Sequence, residues 1–310
     1  YIPCAEMSRF GKTGTDVTTA AVRLARAYTG SQNILMLENG YHGWADWSVH
    51  GDPVRELGVP KIGNTNRCAK DIERISFYVD GKHDYACIIV EPESDPQFLK
   101  QLRILCDNTG TVLIFDEIIT GFRFGMGGAQ KYYGITPDLA CFGKAMGNGM
   151  PISALCGKRE IMKLMEKVCF SGTFFGEALS LAAAIATIDK LSRKDVPKYL
   201  RDIGNVLAKR VDELCCKYDL QKEIRTRGHP SMVRLLFSDP RIRTLFMESM
   251  IEEGVLIIAS HNVNYAMKEP ELNKIIKAYD NTLNYIRNVI DGGDSLDYVE
   301  PANPTVRGVA

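Results

Sequence analysis

One stretch constrains what this chain can fold into more than any other. It is Leu113-Ile114-Phe115-Asp116-Glu117, with Phe142-Gly143-Lys144 farther on. Residues 111–115 form a short apolar run preceded by Gly110, the pattern of a strand buried on both faces inside a parallel sheet. That run ends in two acids. Leu139–Phe142 is a second such run, and it ends in Gly143 and Lys144, with Gly147 and Gly149 just beyond. In open α/β sheets, ligands bind outside the carboxyl ends of the strands. The pattern therefore predicts a carboxylate and an amine at neighbouring strand ends. Taken singly, the acids read as solvated or helix-capping groups and the lysine as a surface charge; the pair is what points to chemistry.

Strands and helices alternate on both sides of this centre. Phe10-Gly11-Lys12-Thr13-Gly14-Thr15-Asp16 opens a helix with apolar residues at Val17, Ala20, Ala21, Leu24, Ala25 and Tyr28, a 3.6-residue stripe. Thr15 reads as its N-cap and Gly30 as its stop. A Gly-Thr turn entering a helix can cradle an anion, because free N–H groups and the helix dipole both favour negative charge there. Gly11-Lys12-Thr13 is not a Walker A motif, which needs an earlier glycine where this chain has Glu6. Asn33–Leu37 reads as a strand. Gly40-Tyr41-His42-Gly43 follows it, with an aromatic able to lie flat on a ligand ring or to tuck against the core.

Residues 53–66 read as an irregular entrance loop and 71–78 as a weak helix. Residues 86–90 form a strand ending in Glu91-Pro92, and 97–106 the helix before the central strand. Beyond Lys144 the expectations are a strand at 152–156, a helix at 159–167, a strand at 169–173 and an Ala-rich helix at 177–191. Such an order predicts βαβ units and a mainly parallel sheet. The polar stretch 192–194, with Pro197 after it, marks a boundary between a large domain, 1–191, and a smaller α+β domain, 192–310. In the latter we expect helices at 198–218 and 241–253 and strands at 233–237 and 255–259. A last helix follows, with Leu272, Ile275, Ile276, Tyr279, Leu283, Ile286 and Ile290 on one face. An extended tail from 294 closes the chain.

Lysine plus arginine equals aspartate plus glutamate, 38 each, which argues against nucleic acid or an anionic membrane as partner. No apolar run approaches the roughly 20 residues of a membrane span. Nine cysteines, an odd number without a Cys-x-x-Cys pair, read as reduced thiols of a cytoplasmic protein. No two of the five histidines have metal-ligand spacing, so no metal is expected. The chain opens at Tyr1 on residues that read as the interior of a domain, and we expect an N-terminal segment to precede them.

The motifs in order resemble class III pyridoxal-phosphate aminotransferases, in the branch that contains glutamate-1-semialdehyde aminomutase. Asp116-Glu117-Ile118-Ile119-Thr120-Gly121-Phe122-Arg123 is similar to the family's central motif. Gly14-Thr15 with residues 23–30 matches its phosphate-binding turn and helix, and Tyr41-His42-Gly43 its ring-stacking turn. Gly127-Gly128-Ala129-Gln130, Thr136-Pro137-Asp138-Leu139, Gly143-Lys144, Gly172-Thr173 and Gly254-Val255 match in order and spacing. The resemblance implies an aspartate-aminotransferase-like α/β fold, with residues 1–191 binding pyridoxal 5'-phosphate. It makes Lys144 the Schiff-base lysine and Asp116 the partner of the pyridinium nitrogen, the acid that keeps the ring electron-accepting. Tyr41 would lie on one ring face and Ile118 on the other, with Gly14 and Thr15 on the phosphate. Thr173 would reach the phosphate of a neighbouring subunit, which implies a homodimer with shared sites. Glu91 would end a strand beside the cofactor and is, with Glu177, a candidate substrate contact.

Four departures from the family bear on the substrate. The residues from Tyr1 onward do not include the family's N-terminal arm, and Glu93-Ser94-Asp95-Pro96 is short and lacks an asparagine. Ile119 stands where broad-range transaminases have glutamine; the aminomutase branch has an apolar residue there. Phe174-Phe175-Gly176-Glu177 and Ser260-His261-Asn262 differ from the aminomutase stretches. Glu177 is expected either to face the site and repel a carboxylated substrate or to cap the helix it begins. The first reading is a transaminase that moves an amino group onto an aldehyde or ketone of a small or sugar-like metabolite. The others are the intramolecular aminomutase, an isomerase, and an inactive truncated relative.

Overall fold

The computed structural model describes residues 1–49, 64–79, 85–93, 95–292, 296 and 299–301. The chain divides into two compact units, Tyr1–Lys194 and Asp195–Ala310.

The first unit runs β1 (Met7–Gly11), α1 (Gly14–Thr29), β2 (Asn33–Leu37), α2 (Asp46–Val49), β3 (Thr65–Cys68), α3 (Ile72–Tyr78), β4 (Tyr85–Val90) and α4 (Pro96–Thr109). It continues with β5 (Val112–Asp116), α5 (Gly128–Tyr133), β6 (Leu139–Phe142), β7 (Ser153–Gly157), α6 (Arg159–Met162) and α7 (Ala178–Arg193). Seven strands form one sheet in the order β1-β7-β6-β5-β4-β2-β3. From β3 to β6 every pairing is parallel; β7 is antiparallel to both β6 and β1. The central strand is buried on both faces. Val112 and Ile114 join α1 residues Val17, Ala21 and Leu24 in one cluster, while Leu113 and Phe115 join α4 residues Leu99 and Leu102 in another. Each such side chain withdrawn from water contributes roughly 1.5–3 kcal/mol, so α1 and α4 are fastened to opposite faces of β5.

The second unit runs α8 (Val196–Lys217), β8 (Ile224–Arg227), β9 (Met232–Phe237), α9 (Pro240–Glu252), β10 (Ser260–Asn262) and α10 (Glu269–Asp291). Its three strands are antiparallel, with β9 in the middle. Leu272, Tyr279, Leu283 and Ile286 of α10 are buried, as the apolar stripe requires.

Several expectations differ from the structure. The N-cap of α1 is Thr13, not Thr15: Thr13 Oγ1 accepts from Asp16 N–H, and Asp16 reaches back to the Thr13 N–H, a capping box that closes only at this spacing. Residues 169–173 are not a strand; they lead into turns in which Phe175 N–H donates to Gly172 O. Residues 255–259 are not one either. Leu256 and Ile258 are exposed, Ala259 has φ +63°, and the strand starts only at Ser260. The helix at 159–167 is a short α-helix followed by 3₁₀ turns. Strands β1, β3 and β8 had no counterpart in the sequence reading. The entrance loop falls outside the described residues up to 63, as do Ser94 and nearly all of the tail.

Candidate active site

The parallel strands deliver their carboxyl ends to one edge of the sheet, and β1, running with β6, ends there too. That edge collects the first turn of α1, the turn after β2, Glu91 after β4, Asp116 and Ile118 at the end of β5, and Lys144 after β6. Sequence positions scattered over 130 residues, Gly14 to Lys144, are brought together by strand direction alone.

Asp116 is buried, 5% exposed, and its two oxygens have different partners. Oδ1 accepts from the Ile118 N–H at 3.1 Å; Oδ2 lies 2.8 Å from Nδ1 of His42, which is buried as well. A carboxylate only accepts, so Nδ1 carries the proton. Among the described residues, His42 Nε2 has no hydrogen-bond partner, nor does Ser153 Oγ, which begins β7 at the same edge.

The turn that carries His42 is tied down from three sides. Tyr41 N–H donates to Glu91 Oε2 at 3.2 Å, Thr18 Oγ1 donates to His42 O at 2.7 Å, and Trp44 N–H donates to Thr15 Oγ1 at 3.4 Å. Gly43 has φ +110°, and a Cβ there would sit 2.4 Å from Thr15 Oγ1, so the turn reaches α1 only with glycine. Ile118 packs between two other glycines: a Cβ on Gly14 would meet its Cγ1 at 3.4 Å, and one on Gly143 its Cδ1 at 3.1 Å.

Lys144 is exposed and opens a one-turn 3₁₀ helix, Lys144–Met146, with φ +38°. A non-glycine residue held at positive φ costs roughly 1–3 kcal/mol, and such strain clusters at functional positions.

Glu117, one residue past Asp116, is fully buried and points away to another task. Its oxygens accept from Thr120 Oγ1 at 2.7 Å, Ala129 N–H at 2.6 Å, Gln130 N–H at 3.0 Å and Gln130 Nε2 at 3.2 Å. Burial pushes its carboxyl up while these donors pull it down, and burial wins. At the other end of the strands, Asp138 bonds Arg103, Lys158 and the Leu113 N–H. Burial would raise the Asp138 carboxyl, but Lys158 and Arg103 together hold it below the usual range.

Thr173 and Glu177 stand apart from this cluster. Thr173 is exposed, within the turns before α7. Glu177 caps α7, accepting from Leu179 N–H at 2.7 Å and Ser180 N–H at 3.0 Å, and its Oε1 lies 2.5 Å from Lys12 Nζ. The Lys12 and Ser180 bonds hold its carboxyl down to about 2. Ser260-His261-Asn262 is a strand of the second unit, where His261 Nε2 meets Tyr279 Oη at 2.8 Å. The sequence reading missed His42 as the partner of Asp116, although its place beside Tyr41 in a strand-end turn was a usable signal. It also missed Glu91 as the anchor of that turn.

An open, mostly parallel sheet of seven strands with helices on its faces defines an α/β protein, here with an acid and a lysine at neighbouring strand ends. The model of the aminotransferase class-III family matches residues 2–280, and the chain belongs to that family. It is 34% identical over 278 residues to a glutamate-1-semialdehyde 2,1-aminomutase of Methanococcoides burtonii, covering 82% of this chain and 65% of that protein. It is 36% identical over 265 residues to glutamate-1-semialdehyde 2,1-aminomutase 2 of Lachnoclostridium phytofermentans, covering 78% of this chain and 62% of the other. The chain thus spans a little under two thirds of the length of these relatives. Among solved structures, the FumI protein of Sphingopyxis sp. MTA144 in its PLP internal aldimine form superposes with a TM-score of 0.85 at 25% identity, covering 97% of this chain and 74% of that one.

Proposed function

We propose that this chain is a pyridoxal-phosphate-dependent aminotransferase that moves an amino group onto an aldehyde or ketone of a small or sugar-like metabolite. The observation that carries the reading is the buried Asp116 and the exposed, strained Lys144 on neighbouring parallel strands. The residues fit the cofactor. A buried carboxylate is held by His42 at 2.8 Å, two buried polar atoms at the same edge lack partners among the described residues, and the α1 N-terminus offers backbone donors beside Gly14.

When bound, pyridoxal phosphate supplies an electron-accepting ring. Lys144 would be the amine that holds the cofactor and carries the proton between carbon atoms. Asp116 would pair with the ring nitrogen, its carboxylate oriented by His42; Gly14 and Thr15 would hold the phosphate, and Tyr41 and Ile118 would enclose the ring. Glu91 acts through Tyr41, whose N–H it holds. Purified protein should absorb in the visible, and borohydride should trap the cofactor on Lys144, located by peptide mass spectrometry. A colourless preparation, or trapping elsewhere, sides with an inert relative.

The working form is a homodimer in the cytoplasm. Its support is the exposed Thr173 beside exposed Phe174, Leu179 and Ile185, and nine free thiols. Mixing Lys144→Ala with Thr173→Ala protein should restore activity above either alone; no gain defeats the shared site.

The aminomutase reading is kept by the names of the relatives at 34% and 36% identity. Against it stands the short loop at 93–96. Glu177 does not bear on the choice, because its oxygens are engaged in the α7 cap and the Lys12 pair. Rates on glutamate-1-semialdehyde should fall well below those on hydroxylated aldehydes and ketones with glutamate as donor. Efficient 5-aminolevulinate formation without an added donor selects the aminomutase instead.

A further inference from the structure

Residues 170–177, which lead into α7, are sparsely fastened. Among the described residues their backbone bonds are internal turns: Phe175 N–H to Gly172 O and Glu177 N–H to Phe174 O, both 3.2 Å. Phe170 and Phe175 pack on each other, ring centroids 4.7 Å apart. Between the segment and β1 lies an open cavity of about 380 Å³, with Ser8, Arg9 and Phe10 on one wall and Phe170, Gly172 and Phe175 on the other. Phe170 is half-buried against the core cluster that contains Val17 and Ile161, but atoms facing the gap forfeit dispersion contacts, so packing holds residues 172–177 to the strand only weakly.

A polar tie crosses where packing does not. Lys12 Nζ donates to Glu177 Oε1 at 2.5 Å and to Ser180 Oγ at 3.2 Å. Lys12 directly precedes Thr13, the N-cap of α1; Glu177 is itself the N-cap of α7. One ion pair therefore joins the starts of two helices 165 positions apart in sequence. Its side chains are only 17% and 30% exposed, which limits screening by water.

We propose that Lys12 and Glu177 form a clasp that fixes residues 170–177, with Thr173 among them, to the first turn of α1. Both are positioning residues. The clasp itself is independent of any ligand. Its consequence rests on the reading above: the first turn of α1 is the proposed phosphate cradle, and an open clasp removes one of its anchors.

Amide hydrogen exchange on the intact protein reads the clasp directly. Lys12→Met should speed exchange across 172–177 about fivefold, the scale of a partly exposed ion pair, and leave the β5 amides unchanged. Glu177→Gln, which can still accept from the Leu179 and Ser180 amides, should do the same. Lys12→Arg should restore protection. Unchanged exchange in Lys12→Met overturns the proposal and leaves Glu177 a cap only; so does failure of Lys12→Arg to restore it. In a second arm, titration with pyridoxal phosphate followed by absorbance should show binding weakened a few-fold in Lys12→Met. Faster exchange with unchanged affinity overturns the coupling to the cradle. If unmutated protein binds no pyridoxal phosphate, the cofactor reading fails while the exchange arm still decides the clasp.

Discussion

His42 in the first unit and His261 in the second are both buried, and each lies 2.8 Å from a side-chain oxygen. The partners differ in charge. Asp116 offers a carboxylate, which fixes the proton on Nδ1, and Nε2 has no partner among the described residues. Tyr279 offers a neutral phenol inside a core shared with Phe246, and burial pushes the His261 imidazole down to about 4. One pair is a polar arrangement at a strand-end edge, with capacity left over. The other is a closed pair that cements a small domain. An unmatched buried donor or acceptor costs about 1–3 kcal/mol, a cost that the ligand site proposed at that edge would relieve.

The contrast predicts chemistry at the first histidine's neighbourhood and stability at the second's. Lys144→Ala should cost the most, about 10³-fold or more in kcat, because the covalent anchor and the proton carrier are lost together. Non-covalent pyridoxal phosphate should remain detectable by absorbance. Asp116→Asn should lower kcat/KM by about 10²–10³-fold with little change in melting temperature, since an uncharged partner cannot stabilise a pyridinium. A large drop in melting temperature would make Asp116 a structural group like His261.

His42→Phe should reduce turnover about 10-fold or more and shift the visible absorbance of the bound cofactor, because Asp116 Oδ2 loses its partner. His261→Phe should leave that spectrum alone and destabilise the protein by about 1–3 kcal/mol, the cost of an unpaired Tyr279 hydroxyl. Equal spectral changes in the two variants would erase the distinction.

The last effect is in pH. His261 titrates at about 4 when folded against an ordinary 6.5. Above pH 6.5 both states are neutral and stability is full. As pH falls from 6.5 through 4, only the unfolded chain takes up the proton, and about 3 kcal/mol at most is lost. Denaturant midpoints measured across that range should lose part of their slope in His261→Gln. An unchanged slope would remove the assignment to this residue.

Much of this architecture was legible beforehand, for identifiable reasons. Strands β2, β4, β5 and β6 are apolar without interruption because helices cover both their faces, and that signature survives in one dimension. The acid and the lysine were legible because they sit where those runs stop. Strand β1 was not, since Ser8, Arg9 and Phe10 are exposed at a sheet edge and carry no burial pattern. The α1 cap was misplaced by two residues because Thr13 and Thr15 are the same residue type, and only the reach of Asp16 distinguishes them. Glu117 looked like a twin of Asp116; alternation along the strand sends it to the Gln130 amides instead.

By itself, then, the sequence determined which strands are buried, which residues end them, and the family those endings resemble. Local periodicity and residue type suffice for that. The pairing of His42 with Asp116, of Glu91 with the Tyr41 turn and of Lys12 with Glu177 was decided only in three dimensions, across 74, 50 and 165 positions. Such partners meet because parallel strands and packed helices bring their ends to shared edges, and no local pattern encodes that meeting.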